Sequence, residues 1–282
     1  MKTNRIAVAS HRRPKSRTGL FAPAPTTDEP ARAAEALRRW YGIARSAAIY
    51  YGNPLKRRRA RALYSRFVRP GALCFDIGAH LGDRIGHFRA LGARVVALEP
   101  QPSLMRILHR LYDRDSAVTL IEAAAGATSG TAPLLAPTAN PTVGSLSREW
   151  VETVSRSAGF RGLRWRERPI VAVTTLDALI AQHGLPDFCK IDVEGFEHEV
   201  LKGLTRPLAA LSLEYVRPAV DIAIAAVARL AALGSYRFNL SPGESMRLGD
   251  RWCSAAEISE RLAALPAGDD SGDVYAWLRI GE

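Results

Sequence analysis

Two periods of apolar and polar residues alternate along most of this chain. Short apolar runs of strand length lie at Ala72–Phe75, Arg94–Leu98, Val118–Glu122, Leu211–Tyr215, Tyr236–Leu240 and Asp273–Leu278, and another opens at Phe188. Between them, apolar residues recur at three- and four-residue intervals, as they do along one face of a helix. These helical stretches follow Gly82 as far as Gly92, cover Ser103–Tyr112, lead from Thr175 to about Gly184 and run from Ala219 to Leu233. Strands that alternate with helices predict an α/β fold: a seven-stranded, mostly parallel sheet flanked by helices. A helical pattern also occupies Leu37, Trp40, Tyr41, Ala44, Ala48 and Tyr51, with the Trp40/Tyr41 pair expected to face inward. A second such helix is expected over Pro54–Phe67, stopped by Pro70-Gly71.

The alternation lapses between residues 126 and 170, where Gly126, Gly130, Pro133, Pro137 and Pro141 punctuate short polar segments. Asn140–Leu146 reads there as a lid-like loop near a pocket, and Arg148–Gly162 as an insertion before a short strand at Ile170–Val173. Trp150 and Trp165 are expected to anchor this loop to the body, with an acceptor-site wall as the alternative.

Composition leaves the α/β picture intact. The chain has 282 residues, 47% of them hydrophobic and 24% charged, which suits a globular protein with one large domain and extensions. It has no apolar run long enough to cross a bilayer and no signal-like apolar core near its amino terminus, so the cytoplasm is the expected compartment. Cys74, Cys189 and Cys253 show neither metal-ligand nor disulfide spacing, and Cys74 and Cys189 read as small buried hydrophobes.

Charge changes the picture more. Residues 1–70 carry 17 Lys and Arg against 3 Asp and Glu, whereas residues 71–282 carry 22 against 25. The organisation expected is a mobile basic tail over residues 1–30, a basic helical extension over 31–70 and a catalytic domain over 71–282. The cluster Lys56-Arg57-Arg58-Arg59-Ala60-Arg61 is compatible with RNA, an anionic membrane, a polyanionic glycan or a solvated helix face.

The candidate chemistry sits where strands end. After the first strand the chain reads Asp76-Ile77-Gly78-Ala79-His80-Leu81-Gly82, with glycines where backbone must approach closely. Dinucleotide loops follow G-x-G-x-x-G and offer amides to a pyrophosphate; a carboxylate at this turn would repel one. S-adenosylmethionine has a sulfonium, an ammonium and a ribose but no phosphate, and suits such a turn. Glu99, 23 residues beyond Asp76 and followed by Pro100, stands where an acid accepts hydrogen bonds from ribose hydroxyls. Glu122 and Ala123 end the third strand, where an adenine ring would lie. His80 serves the loop either as a stabiliser or as a catalytic group; His87 and His109 receive no role.

A second dense motif, Lys190-Ile191-Asp192-Val193-Glu194-Gly195, brings two carboxylates to the end of a central strand. Together with Phe75–Gly82, Leu98-Glu99-Pro100, Gly144-Ser145-Leu146 and Thr175-Leu176-Asp177, it resembles the FkbM family of S-adenosylmethionine-dependent methyltransferases. The resemblance covers roughly residues 74–240. It implies a Rossmann-like class I methyltransferase fold and O-methylation of hydroxyls on sugars, glycoconjugates or polyketides; that family carries asparagine where this chain has His80.

On this reading Asp76, Gly78, His80, Gly82, Glu99, Pro100, Glu122, Ala123 and Asp192 hold the cofactor. A base must remove the acceptor proton, and Glu194 is the first candidate, then Asp192, then His198. Lys190 is expected to be an ion-pair partner. A divalent metal held by Asp192, Glu194 and Glu214 is possible but not favoured. RNA methylation, or RNA binding without catalysis, is the rival reading, with a cofactor-binding scaffold behind it.

Overall fold

The computed structural model describes residues 53–137, 143–157, 160, 162–266 and 271–279. The expected tail, the helical pattern over residues 33–51 and Asn140–Thr142 lie outside them. Helix α1 spans Pro54–Tyr64, and Asn53 caps it by accepting from the Leu55 and Lys56 N–H groups. It is one turn shorter than the sequence pattern suggests, because the chain leaves the helix at Ser65.

The main sheet starts at β1 (Leu73–Ile77), from which the chain passes through α2 (Asp83–Ala90) to β2 (Arg94–Leu98) and through α3 (Pro102–Tyr112) to β3 (Val118–Ile121). Four further strands follow: β7 (Phe188–Ile191), β8 (Ala210–Val216), β9 (Tyr236–Pro242) and β10 (Ser271–Leu278). Their order is β3-β2-β1-β7-β8-β10-β9. Only β10 runs against its neighbours β8 and β9; β1 pairs in parallel with both β2 and β7. The sheet is therefore seven-stranded and mostly parallel, as the pattern predicts. From β1 the chain winds first towards β3 and later returns to β7 on the other side. The crevice for a ligand in such a sheet opens at this reversal, outside the carboxyl ends of the strands.

Both faces of the sheet are covered, so its central strands are buried throughout. One side carries Leu73, Phe75 and Ile77 of β1 against α5 (Leu176–His183), α6 (Glu197–Lys202), α7 (Val220–Leu233) and α8 (Ala255–Ala263). The opposite side carries Cys74, Val95, Phe188 and Tyr275 against α1, α2 and α3. Tyr64 of α1 packs edge-on against Phe88 and Phe188, and Phe67 stacks on Phe188 and Tyr275. The basic helix is thus docked through its apolar face. Cys74 and Cys189 are buried, as expected.

The stretch from 124 to 174 departs from expectation. It builds a second sheet of order β4-β6-β5 from β4 (Ala124–Ala125), β5 (Gly130–Pro137) and β6 (Trp165–Thr174), with α4 (Arg148–Val154) between the last two. The strand expected at Ile170–Val173 is only the end of a ten-residue strand. Prolines 133 and 137 concealed β5, yet β5 is an edge strand, and edges tolerate prolines. Trp150 is buried, with Phe160 and Trp165 edge-on to it, which is the anchoring role expected. Helix α8, which the sequence pattern did not reveal, starts with a capping box between Ser254 and Glu257.

Candidate functional site

An open cleft lies at the carboxyl ends of β1, β2, β7 and β8. Its β1 wall is the loop Gly78–His80. Gly78 has φ 88°, and a Cβ there would fall 1.8 Å from the Asp192 carbonyl oxygen. Two strand-end loops touch at this point, so the position requires glycine. The Gly78 and Ala79 N–H groups both donate to the Leu98 carbonyl, His80 N–H donates to Glu99 Oε2, and Gly82 N–H donates to the Ala79 carbonyl. These amides are committed within the protein, so the loop is not a phosphate cradle. Gly82 stands outside the cleft and starts α2 against Tyr112, whose hydroxyl donates to the Gly82 carbonyl.

Glu99 forms the β2 wall and is buried. Its carboxylate accepts from His80 N–H at 3.0 Å and from Gln101 N–H at 2.9 Å. Burial pushes its pKa up to about 8 against the pull of these two bonds. His80 has φ 52°, and burial lowers its imidazole to about 4, so the ring is neutral at physiological pH. Pro100 and Ala123 also line this end, whereas Glu122 is exposed and lies outside it. Asp76 takes a deeper place. It is 1% exposed, does not line the cleft, and is pushed up to about 7 by burial, with Arg84 and Lys190 opposing.

The β7 wall is built around a strained turn. Glu194 has φ 53° and Gly195 φ 85°. Three contacts hold them there. Buried Glu197 accepts through Oε1 from the N–H groups of Val193 and Gly195. Ser145 Oγ donates to the Glu194 carbonyl at 2.6 Å. Trp150 packs so tightly under Gly195 that a Cβ would lie 2.1 Å from the indole. Ser145 is itself paired through its backbone with Leu135, so this part of the loop is a strut between the two sheets rather than a lid.

Asp192, Glu194 and Glu214 converge on the cleft, each offering a carboxylate oxygen within 4.8 Å of the others. Below them Lys190 is buried, with its ammonium 2.7 Å from Asp273 and 3.2 Å from Asp192. Burial opposes ionisation of Asp192, but the charges of Lys190 and Arg84 outweigh it and hold this acid below the usual carboxylate range. Glu194 and Glu214 go the other way: burial, then the Asp192 charge, raises both well above it. One acid stays ionised while its two neighbours keep protons at pH values where free carboxylates have lost them. His198 is not part of this group; it sits half-buried on α6 and does not line the cleft.

Arg84 and Glu244 escaped sequence reasoning. Arg84, in the first turn of α2, lines the cleft, pairs with Asp83 and lies 3.6 Å from Glu244, which also takes Lys56 of α1 at 3.0 Å. The signal for Arg84 was its position two residues after Gly82; for Glu244, which follows β9, there was none.

The residues present fit S-adenosylmethionine rather than a nucleoside phosphate, because the walls are acidic, the loop amides are occupied and Glu99 is fixed where a ribose would be met. The family model of the methyltransferase FkbM domain matches residues 76–227. No curated protein gives a significant match. Among solved structures, a TehB-like SAM-dependent methyltransferase from Corynebacterium glutamicum is 12% identical over 89% of this chain and 100% of that one, with a TM-score of 0.43. The fibrillarin of Aeropyrum pernix in complex with S-adenosyl-L-methionine is 11% identical over 74% of this chain and 68% of its own, with a TM-score of 0.40. A SAM-dependent O-methyltransferase from Thermotoga maritima is 12% identical over 82% and 68%, with a TM-score of 0.38.

Proposed function

Because the chain belongs to the methyltransferase FkbM domain family and takes its methyl group from S-adenosylmethionine, we propose that it O-methylates a hydroxyl of a sugar, glycoconjugate or polyketide-like small molecule. The observation that carries this reading is the carboxylate group Asp192, Glu194 and Glu214 at the β7 and β8 ends of the cleft. When bound, S-adenosylmethionine supplies a methyl carbon made electrophilic by the sulfonium. An alcohol is too weakly acidic to ionise unaided, so its proton must be accepted as the oxygen forms its new bond to carbon. Glu194 is the acceptor of that proton: its raised pKa makes it a stronger base than an ordinary carboxylate once ionised. Asp192 stays charged beside Lys190 and orients the hydroxyl; the proton passes from Glu194 to water when product leaves. Positioning of the two partners in one cleft supplies most of the acceleration.

At the donor end, Glu99 accepts from the ribose, the Gly78–His80 loop and Ala123 shape the wall, and Asp76 adds negative potential from beneath. The pH dependence of donor binding follows from Glu99. A carboxyl pushed up to about 8 is mostly protonated below that pH and accepts hydroxyl protons best when ionised. Affinity for S-adenosylhomocysteine is therefore expected to rise with pH towards about 8, and Glu99→Gln to weaken binding and flatten the rise. Calorimetric titration across pH checks this; an equal slope in the variant removes Glu99 from the donor site.

The three acids also make a donor set that a hard divalent cation could use. Lys190 already places a positive charge 3.2 Å from Asp192, which argues for a metal-free site. Transfer is expected to persist after exhaustive dialysis against a chelator, and loss restored by magnesium or manganese would reverse this assignment.

Incubation with methyl-labelled S-adenosylmethionine and fractionated glycans, lipids, small molecules and RNA tests the function itself. The label is expected on an oxygen of a hydroxyl-bearing glycan or small molecule. Label confined to RNA would favour the rival reading.

A further inference from the structure

The outer face of α1 is electrostatically unfavourable as it stands. The helix carries Lys56, Arg57, Arg58, Arg59 and Arg61 and no acid, and Arg66 and Arg69 follow at once. Bases in its first turn oppose the positive end of the helix dipole. Arg57 and Arg61 form a like-charged i, i+4 pair, which destabilises a helix by a few tenths of a kcal/mol where a Glu–Lys pair would stabilise it. A merely solvated helix face usually alternates its signs. Here Arg58, Arg59, Arg61, Arg66 and Arg69 are exposed, and none forms an ion pair among the described residues. The helix is held in place by its other face, where Ala60, Leu63 and Tyr64 are buried.

We infer that this face docks the enzyme on an anionic phospholipid surface. Arginine forks match phosphate oxygens in pairs, and a basic helix flanked by an exposed apolar side chain suits the headgroup boundary. Leu55, in the first turn of α1, is 65% exposed and supplies that apolar contact. Nucleic acid fits less well for two reasons. The aromatic residues of this segment, Tyr64 and Phe67, are turned inward onto Phe88, Phe188 and Tyr275, so they offer no platform for base stacking. The neighbouring cleft wall holds the ionised Asp192 and, among the described residues, offers a polynucleotide backbone no cation other than Arg84, which is already paired with Asp83.

The test is co-sedimentation of the full chain with phosphatidylcholine vesicles, with and without phosphatidylserine, over a range of salt. Binding is expected only to the phosphatidylserine vesicles and is expected to fall as salt rises. Each arginine near such a surface contributes roughly fivefold, so the triple variant R58Q/R59Q/R61Q is expected to bind about 100-fold more weakly. Its affinity for S-adenosylhomocysteine should equal that of the wild type, because none of the three lines the cleft; this also establishes that the variant is folded. The inference is overturned if anionic vesicles are not bound, if the triple variant binds them as well as the wild type, or if single-stranded RNA displaces the protein from them.

Discussion

Replacing Glu194 with glutamine is expected to lower methyl transfer by about 10²- to 10⁴-fold, the usual contribution of a positioned general base. Donor affinity should stay within about twofold, since Glu99 and the Gly78–His80 loop form the other end of the cleft. Glutamine keeps the shape of the side chain, and the turn beneath it is held through the backbone by Ser145 and Glu197. The loss would therefore report chemistry rather than folding. The pH profile separates the two further. Glu194 is raised well above the usual carboxylate range by burial and then by the Asp192 charge. Its basic form is scarce at low pH and grows as pH rises, so at saturating S-adenosylmethionine kcat/KM for the acceptor should climb with pH and level off once Glu194 is ionised. The variant should lack this limb. Unchanged turnover in E194Q would take the base role from Glu194.

Gly78→Ala is expected to have the second large effect, this time on binding and stability together. The new Cβ would point at the Asp192 carbonyl from 1.8 Å, on a residue whose φ of 88° L side chains rarely adopt. Neither loop can yield easily: Gly78 N–H is tied to Leu98 and Asp192 N–H to Ile77. Left-handed strain and forced overpacking together cost on the order of 3–5 kcal/mol. That corresponds to a fall of roughly 5–15 °C in Tm, with S-adenosylhomocysteine binding lost as the two walls separate. Gly82→Ala should be milder, because its closest neighbours are the side chains of Tyr112 and Leu108, which can shift. Differential scanning calorimetry of both variants checks the order. A Gly78→Ala protein that melts and binds like the wild type would mean that the β1 and β7 loops are not in contact.

Much of the cleft was legible in the sequence because it depends on local patterns. A buried parallel strand reads as an apolar run, and the acids Glu99, Asp192 and Glu214 stand near the points where such runs stop. Depth was less legible. Asp76 belongs to the alternation that turns towards α1 and α2, so it lies beneath the cleft rather than on its wall. His198 follows the acidic motif closely, yet α6 begins at Glu197 and carries the imidazole away from the carboxylates. The second sheet was hidden because β5 carries prolines that only an edge position tolerates, and its partner β6 lies beyond a helix. The pairing of Arg84 with Glu244 joins positions 160 residues apart, and one-dimensional periodicity carries no information about it.

In the proposed function the cleft has two separable ends, with Glu99 assigned to the donor and Glu194 to the acceptor. Calorimetric titration of S-adenosylhomocysteine into the wild type, Glu99→Ala and Glu194→Gln tests this most directly. Above the Glu99 pKa of about 8, one site per chain is predicted, weakened at least about tenfold by Glu99→Ala, the cost of a lost charged hydrogen bond, and left intact by Glu194→Gln. Equal weakening by both substitutions, or no heat of binding to the wild-type chain, would contradict it.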